Sequence, residues 1–439
     1  MNLASKLRQR AEAGRPVRVG LIGAGKFGTM FVAQARTTPG MHMMAVADLS
    51  AANARRAMTV AGYQDEAVTD SLERALATGA TAVGDDAEAL IAAPGMEVVI
   101  DATGDPAAGI RHALLAAEHG CHIVMVNVEA DVLAGPHLAE VFRKAGLVYS
   151  LAYGDQPALI CELVDWAEAS GFRVVCAGKG TKYLPAYHHS TPDTVFDHWG
   201  FTAEQLAVGD KNPQMYNSFL DGTKSAIEMA AVSNATGLKA PRGGLYFPPA
   251  GADDLPFVLR PRAHGGCLDE SGSVEVVSSL ERDGRTVFRN LRAGVFVVFE
   301  AGDQSASGAY AQRTMAEYFV SADPSGRYGA LYRPAHLAGL ELGISVASAA
   351  VRGEATGSAR AFNADVVATA KRDLAPGDML DGEGGYTVWG RLARAEAMIG
   401  LIEHMQAKGD VWFATLEEIA LHIKGLVDRG EWTPPVETV

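Results

Sequence analysis

Cysteine is scarce in this chain: Cys121, Cys161, Cys176 and Cys267 are the only four in 439 residues, and no C-x-x-C occurs. Such spacing indicates neither a zinc knuckle nor a disulfide framework. Long apolar runs are missing too. No stretch approaches the length of a membrane span, and Lys6, Arg8 and Arg10 stand where a signal peptide would need an apolar core. A cytoplasmic protein without a membrane partner is expected. Positive charge is in deficit, with 38 Lys and Arg against 52 Asp and Glu and a formal net charge of −14. That balance opposes sequence-independent binding to nucleic acid or to an anionic membrane, so any anionic ligand must be drawn to a local cationic cluster. HExxH, P-loop, G-x-S-x-G and kinase signatures are all absent.

What remains is the balance of a soluble globular enzyme, 48% hydrophobic and 21% charged residues, in a chain long enough for two or three domains. Its most informative stretch is Val17 to Gly28, where an apolar run ends in G-x-G-x-x-G and a helical pattern follows. Asp48 stands twenty residues after Gly28, at the end of a second apolar run from Met43 to Ala47. Strand, glycine turn, helix and a placed acid together form a dinucleotide-binding fingerprint. Gly23 is expected to permit the tight turn, Gly25 to admit the pyrophosphate, and Gly28 to let the helix pack close to its strand. Lys26 and Phe27 open that helix, whose unpaired N–H groups suit a diphosphate. Asp48 favours NAD by accepting ribose hydroxyls, whereas the nearby Arg55 and Arg56 argue for NADP; the choice stays open. A second flavin motif is missing, which favours a nicotinamide cofactor.

Further apolar runs at Glu97 to Ala102, His122 to Val126 and Leu147 to Leu151, with helical segments at Pro106 to His119 and Pro136 to Ala145, predict a doubly wound parallel sheet of the Rossmann type over 1–152. Thr103 and Gly104, then Asn127 and Glu129, follow later strands and are placed to line the nicotinamide; strand capping is the alternative. An α+β substrate-binding or dimerisation domain is expected over 153–333, with antiparallel strands at Val274 to Leu280, Val287 to Leu291 and Gly294 to Glu300. A helix within 334–354 should return to the first domain. The turn pairs Pro376-Gly377, Asp381-Gly382 and Gly384-Gly385 predict a small β-rich module over 355–439.

The stretch from Gly180 to Tyr216 is long, polar and aromatic-rich, as a lid or functional loop would be. Lys179, Lys182 and Lys211 concentrate positive charge around it in an otherwise acidic chain and are candidates for an anionic substrate group, with His188 and Tyr216 beside them. His188, His189, Asp193, Asp197 and His198 match no common metal spacing, so metal ligands are not assigned. Asp221, Lys224 and Glu228 lie on one face of a helix predicted over Asp221 to Thr236. In a dry site the Lys224 pKa could fall towards the working pH, making it the acid/base candidate with Asp221 and Glu228 orienting it.

Val17 to Gly28, Asp101 to Gly104, Asn127 to Asp131, the block Asn212 to Lys224 and the terminal Lys371 to Asp378 together resemble homoserine-dehydrogenase-like oxidoreductases with a C-terminal SAF domain. Within that group the chain is similar to the type II reductoisomerase-like enzymes acting on 1-deoxy-D-xylulose 5-phosphate. The resemblance implies NADP or NAD, a divalent cation (Mg or Mn), a small anionic hydroxy-carbonyl substrate and a homodimer or higher homo-oligomer. It departs from homoserine dehydrogenases at two places. They carry Asn-Lys where this chain has Val128-Glu129, and an acid followed four residues later by Lys where it has Lys224 and Glu228, so acid and base are exchanged.

Overall fold

The computed structural model describes residues 2–209, 211–302, 306–318, 321–409, 412, 414 and 416–431. By its internal contacts the chain divides into two units, 1–394 and 395–439.

Seven apolar segments form the first sheet: β1 Val17–Ile22, β2 Met41–Ala47, β3 Val68–Thr69, β4 Thr81–Gly84, β5 Val98–Asp101, β6 His122–Met125 and β7 Tyr149–Leu151. All pair in parallel, in the order β3-β4-β2-β1-β5-β6-β7. Val17, Val19, Leu21, Val98 and Ile100 are fully buried, because helices cover both faces. The strand order turns back between β1 and β5, and a crevice opens there at the carboxyl ends of the strands. Predicted strands match to within two residues at each end; β3 and β4, too short for a periodic signal, were not foreseen. The helix expected at Pro136 to Ala145 starts earlier and spans Val128–Lys144, because Asn127 caps it by accepting from the Ala130 N–H at 3.1 Å.

The second sheet has the order β11-β10-β8-β9, with β8 Arg173–Thr181, β9 Ser273–Ser278, β10 Val295–Glu300 and β11 Tyr328–Arg333. β8 and β9 run parallel, against the expectation of an antiparallel set, whereas β10 is antiparallel to both of its neighbours. Val287 to Leu291 is not a strand, and the edge is taken by β11 instead. Two helices, Gln156–Ala169 and Thr223–Thr236, lie against this sheet and share one core with it, including Leu159, Ile160, Met229, Val274, Val297 and Phe299. The helix predicted from Asp221 is broken: Pro213–Asp221 ends at Gly222 (φ +97°), where Thr223–Thr236 begins in a new direction. Gly343–Arg352 does return to the first sheet, with Leu342, Val346 and Ala347 buried in its core.

β12 Ala364–Ala370 and β13 Val388–Arg394 form an antiparallel pair. Ala364 and Leu392 are buried in the second-sheet core, and the Gly390 N–H donates to Thr223 Oγ1 at 2.8 Å. This hairpin is therefore built into the larger unit. The β-rich module expected over 355–439 is corrected accordingly: among the described residues its strands end at Arg394, and the unit 395–439 contains the helices Ala395–Lys408 and Leu416–Asp428, with Trp412 against His422. Among the described residues no helix is long and apolar enough to cross a membrane.

Candidate active site

The glycine turn is built as its sequence requires. Gly23 has φ +99°, and a Cβ there would lie 2.5 Å from the Ala102 carbonyl oxygen, so the loops after β1 and β5 touch. A Cβ on Gly28 would lie 2.2 Å from the Gly23 oxygen, which forces glycine where the helix Lys26–Ala35 meets its strand. Gly25 is different: a Cβ there meets nothing within 4 Å, leaving the helix N-terminus open on the side where a pyrophosphate would approach. Asp48 accepts from the Ala24 N–H at 2.8 Å and from Asn53 Nδ2 at 3.1 Å, so its carboxylate is held against the glycine loop. These features fit a dinucleotide. Arg55 does not face the site; its guanidinium pairs with Asp70 on the surface.

Thr103 and Gly104 line the crevice, held from below by buried Asp101, which accepts from Thr103 Oγ1 at 2.9 Å and pairs with His112 at 2.6 Å. Asn127 is 1% exposed and occupied by capping and by donating to the Asp105 oxygen at 2.7 Å, so the capping alternative holds for it. Glu129, two residues on, does reach the opening.

One cleft of about 920 Å³ runs from Gly25, Lys26 and Phe27 past Thr103 and Glu129 to Lys179, Lys182, Lys224 and Glu228. Its far chemistry comes from the Thr223–Thr236 helix, in which every residue but Lys224 and Thr236 is buried. A lysine in the first turn of a helix opposes the helix dipole, so its placement there needs compensating carboxylates. They are present. Lys224 forms an ion pair with Glu129 across 95 residues of sequence. Burial and the helix end would lower the Lys224 ammonium, but Glu129, Glu383, Glu228 and Asp155 together hold it well above the ordinary lysine range. The lowered pKa expected for Lys224 is thereby corrected. Lys179 and Glu228, 4% and 2% exposed, form a second, buried ion pair. Removing one partner of such a pair costs about 3–5 kcal/mol through the charge left behind. Lys179 is thus neutralised, where an anion-holding role was expected.

Asp221 does not orient Lys224. It is fully buried, pairs with Lys371 at 2.8 Å and accepts from the Thr223 N–H at 2.9 Å. His188 also lies outside the cleft, stacked on Trp389 at 3.7 Å, bonded to Tyr183 and to the Asp221 carbonyl, with burial holding its imidazole below the usual range. Tyr216 packs edge-on against Trp199 and Phe201, and half-buried Lys211 donates to the Gln205 carbonyl at 2.8 Å, and neither lines the cleft. Lys182 does line it. Beside it stands a residue that sequence reasoning missed, Arg292, whose guanidinium lies 4.6 Å from the Trp199 ring centroid. Burial and the neighbouring Arg292 both lower the Lys182 ammonium. Two cations side by side form the positive end of the cleft. Asp155 and Glu383 were also missed, and both carboxyls are raised, chiefly by burial. Their signal was a charged residue next to glycine, Gly154-Asp155 and Gly382-Glu383-Gly384. Among the described residues no group of three or more His, Cys, Asp or Glu is placed to hold a metal ion, so the divalent-cation expectation finds no fitting donor set.

Two family models match the chain. Residues 20–151 match the family model described as homoserine dehydrogenase, NAD binding domain, and residues 154–342 match oxidoreductase DRL, catalytic domain. Neither match extends to the C-terminal hairpin, so the SAF-domain expectation is without support. No curated protein matches the chain. Similar solved structures include an NAD binding oxidoreductase from Klebsiella pneumoniae (19% identity, 38% of this chain, 43% of that one, TM-score 0.29). Others are a biliverdin reductase from Synechocystis sp. PCC 6803 in complex with biliverdin and NADP+ (17%, 42% and 53%, 0.28) and a myo-inositol dehydrogenase from Lactobacillus casei in complex with NAD(H) and myo-inositol (14%, 42% and 52%, 0.30). The chain spans about half the length of these structures, and overlaps this partial bear on neither substrate nor mechanism. The two matched segments lie end to end and both line the one cleft, so the chain is similar to the NAD binding domain of homoserine dehydrogenase over its first part and to the oxidoreductase DRL catalytic domain over its second.

Proposed function

We propose that the protein interconverts a small hydroxy-carbonyl compound carrying an anionic group with its oxidised or reduced partner. The observation that carries this reading is the single cleft onto which the open Gly25 turn, the Lys224–Glu129 pair and the Lys182–Arg292 cations all face. At about 920 Å³ it has the capacity of a small-molecule site. When bound, the nicotinamide supplies or accepts a hydride. The protein's own residues do the rest. Lys224, kept charged by its carboxylate neighbours, donates a hydrogen bond to the reacting oxygen and stabilises negative charge developing there. Lys182 and Arg292 hold the substrate's carboxylate or phosphate, and Thr103 and Gly104 line the cofactor's side of the cleft. Asp48 favours NAD over NADP, because a 2′-phosphate would meet its carboxylate.

The Glu129–Lys224 pair also bears on homoserine. Where homoserine dehydrogenases carry lysine after the strand and an acid on the helix, this chain carries Glu129 and Lys224, bonded to each other. The exchange is reciprocal in space, which supports a different substrate. Reductoisomerisation of 1-deoxy-D-xylulose 5-phosphate is the most specific form of the proposal. A panel of phosphorylated ketoses, tetroses and homoserine, assayed with NADH and NADPH, tests it. Turnover of a phosphorylated hydroxy-carbonyl compound is expected, and homoserine as the sole substrate would contradict the assignment. Binding of NAD(P) without turnover of any compound would favour a nucleotide-sensing protein.

A further inference from the structure

The connection between β12 and β13 reaches the cleft, and an unusual share of buried polar chemistry holds it there. Asn217, fully buried, donates to the Gly384 carbonyl at 2.8 Å, and Gln214 donates to the Glu383 carbonyl at 2.9 Å. Lys371, 7% exposed, donates to the Gly385 carbonyl at 2.6 Å and to the Ser190 carbonyl at 2.8 Å while pairing with Asp221. Gly384 (φ +68°) lies so close to the Pro213–Asp221 helix that a Cβ would approach the Gln214 oxygen to 2.1 Å. Asn217 and Asp221, prominent in the sequence and idle in the cleft itself, therefore serve this loop. What they fix in place is Glu383, whose side chain lines the cleft.

Around Glu383 the charges are Lys224, Glu129 and Asp221, with the Ser218 hydroxyl as its hydrogen-bond partner. Lys224 is already paired with Glu129, Asp221 with Lys371, and Lys179 with Glu228. Glu383 is left as a carboxyl at the cleft wall that, among the described residues, has no cation of its own and faces the same lysine as Glu129.

We propose that Glu383, delivered by the C-terminal hairpin, is the catalytic carboxyl that exchanges a proton with the substrate's reacting oxygen. The proposal rests on the oxidoreductase reading above. In the reducing direction the carbonyl carbon gains a hydride from the reduced nicotinamide dinucleotide and the C=O π pair moves to oxygen. The Glu383 O–H bond then breaks, the alcohol O–H bond forms, and the carboxylate that remains is reprotonated by solvent. In the oxidising direction the carboxylate takes the alcohol proton as the hydride leaves. Lys224 stabilises the oxygen's charge, and Glu383 supplies the proton that Lys224 holds too tightly to give. Burial, the largest influence on Glu383, raises its carboxyl above the ordinary range, the direction that suits a proton donor.

The test is Glu383→Gln and Glu383→Asp in the full chain, assayed on the compound that the parent turns over, with NADH affinity measured by fluorescence on the same samples. Glu383→Gln is expected to lower kcat at least about 100-fold and to remove one limb of the kcat–pH profile. NADH affinity should be retained, and Glu383→Asp should recover part of the rate. An active parent whose Gln variant keeps its rate and pH profile overturns the role of Glu383 alone. A Gln variant that also loses NADH affinity overturns it too, in favour of a structural role. A parent that turns over no compound overturns the oxidoreductase reading first, and the role of Glu383 with it.

Discussion

Asp131 shows how far burial governs single residues here. It is fully buried, accepts from the Tyr149 hydroxyl at 2.9 Å through Oδ1, and leaves Oδ2 without a hydrogen-bond partner. Burial pushes its carboxyl up to about 7. With the carboxyl raised this far, its linkage to stability has a definite sign. The folded protein holds this proton from about pH 4 to about pH 7 while the unfolded chain does not, so stability from this group falls as pH rises through that window. Asp131→Asn removes the dependence. Melting temperatures measured from pH 4 to pH 8 should therefore show the variant gaining on the parent as pH rises, by several kcal/mol at the upper end. A constant difference across the range would contradict the protonated assignment.

At the level of elements, the glycine turn separates folding from binding. Gly28 and Gly25 differ in what a methyl group would meet, the Gly23 carbonyl for one and open space for the other. Gly28→Ala is expected to destabilise the protein by pushing the Lys26–Ala35 helix off β1, with a lowered melting temperature. Gly25→Ala is expected to fold as the parent does and to weaken NADH binding at least about tenfold, or 1.4 kcal/mol, since the added methyl occupies pyrophosphate space. Calorimetric unfolding and NADH titration of both variants check this. A Gly25→Ala protein with unchanged affinity would place the cofactor elsewhere.

These elements also show what was legible in the sequence. Five of the first sheet's seven strands were, since buried parallel strands announce themselves as apolar runs and the glycine fingerprint is local. Lys182, Lys224 and Glu228 were read as the substrate side and Glu129 as the cofactor side, and all four line the cleft, but their partners were not legible. Helical spacing put Asp221 and Glu228 beside Lys224, whereas the side chains pair across 95 residues for Glu129–Lys224 and 49 for Lys179–Glu228. Such pairs are set by packing of the Thr223–Thr236 helix against the second sheet and against the Val128–Lys144 helix, which no local pattern encodes. Arg292 and Glu383 lie in turns, where periodicity carries no information at all.

On the scale of the whole molecule, the acidic surface implied by a net charge of −14 contrasts with the positive end of the cleft at Lys182 and Arg292. In the proposed reading, an anionic substrate is directed to one place on a chain that otherwise repels it. The glycine crevice supplies one wall of that place, the second sheet and its buried helix another, and the C-terminal hairpin a third. The central claim is that these walls enclose a single reaction centre organised by Lys224. Its most direct test is Lys224→Ala, with turnover of the parent's substrate and NADH dissociation constant measured on the same preparation. Loss of turnover by at least about 100-fold with NADH affinity unchanged is the predicted result; turnover equal to the parent's would contradict the account.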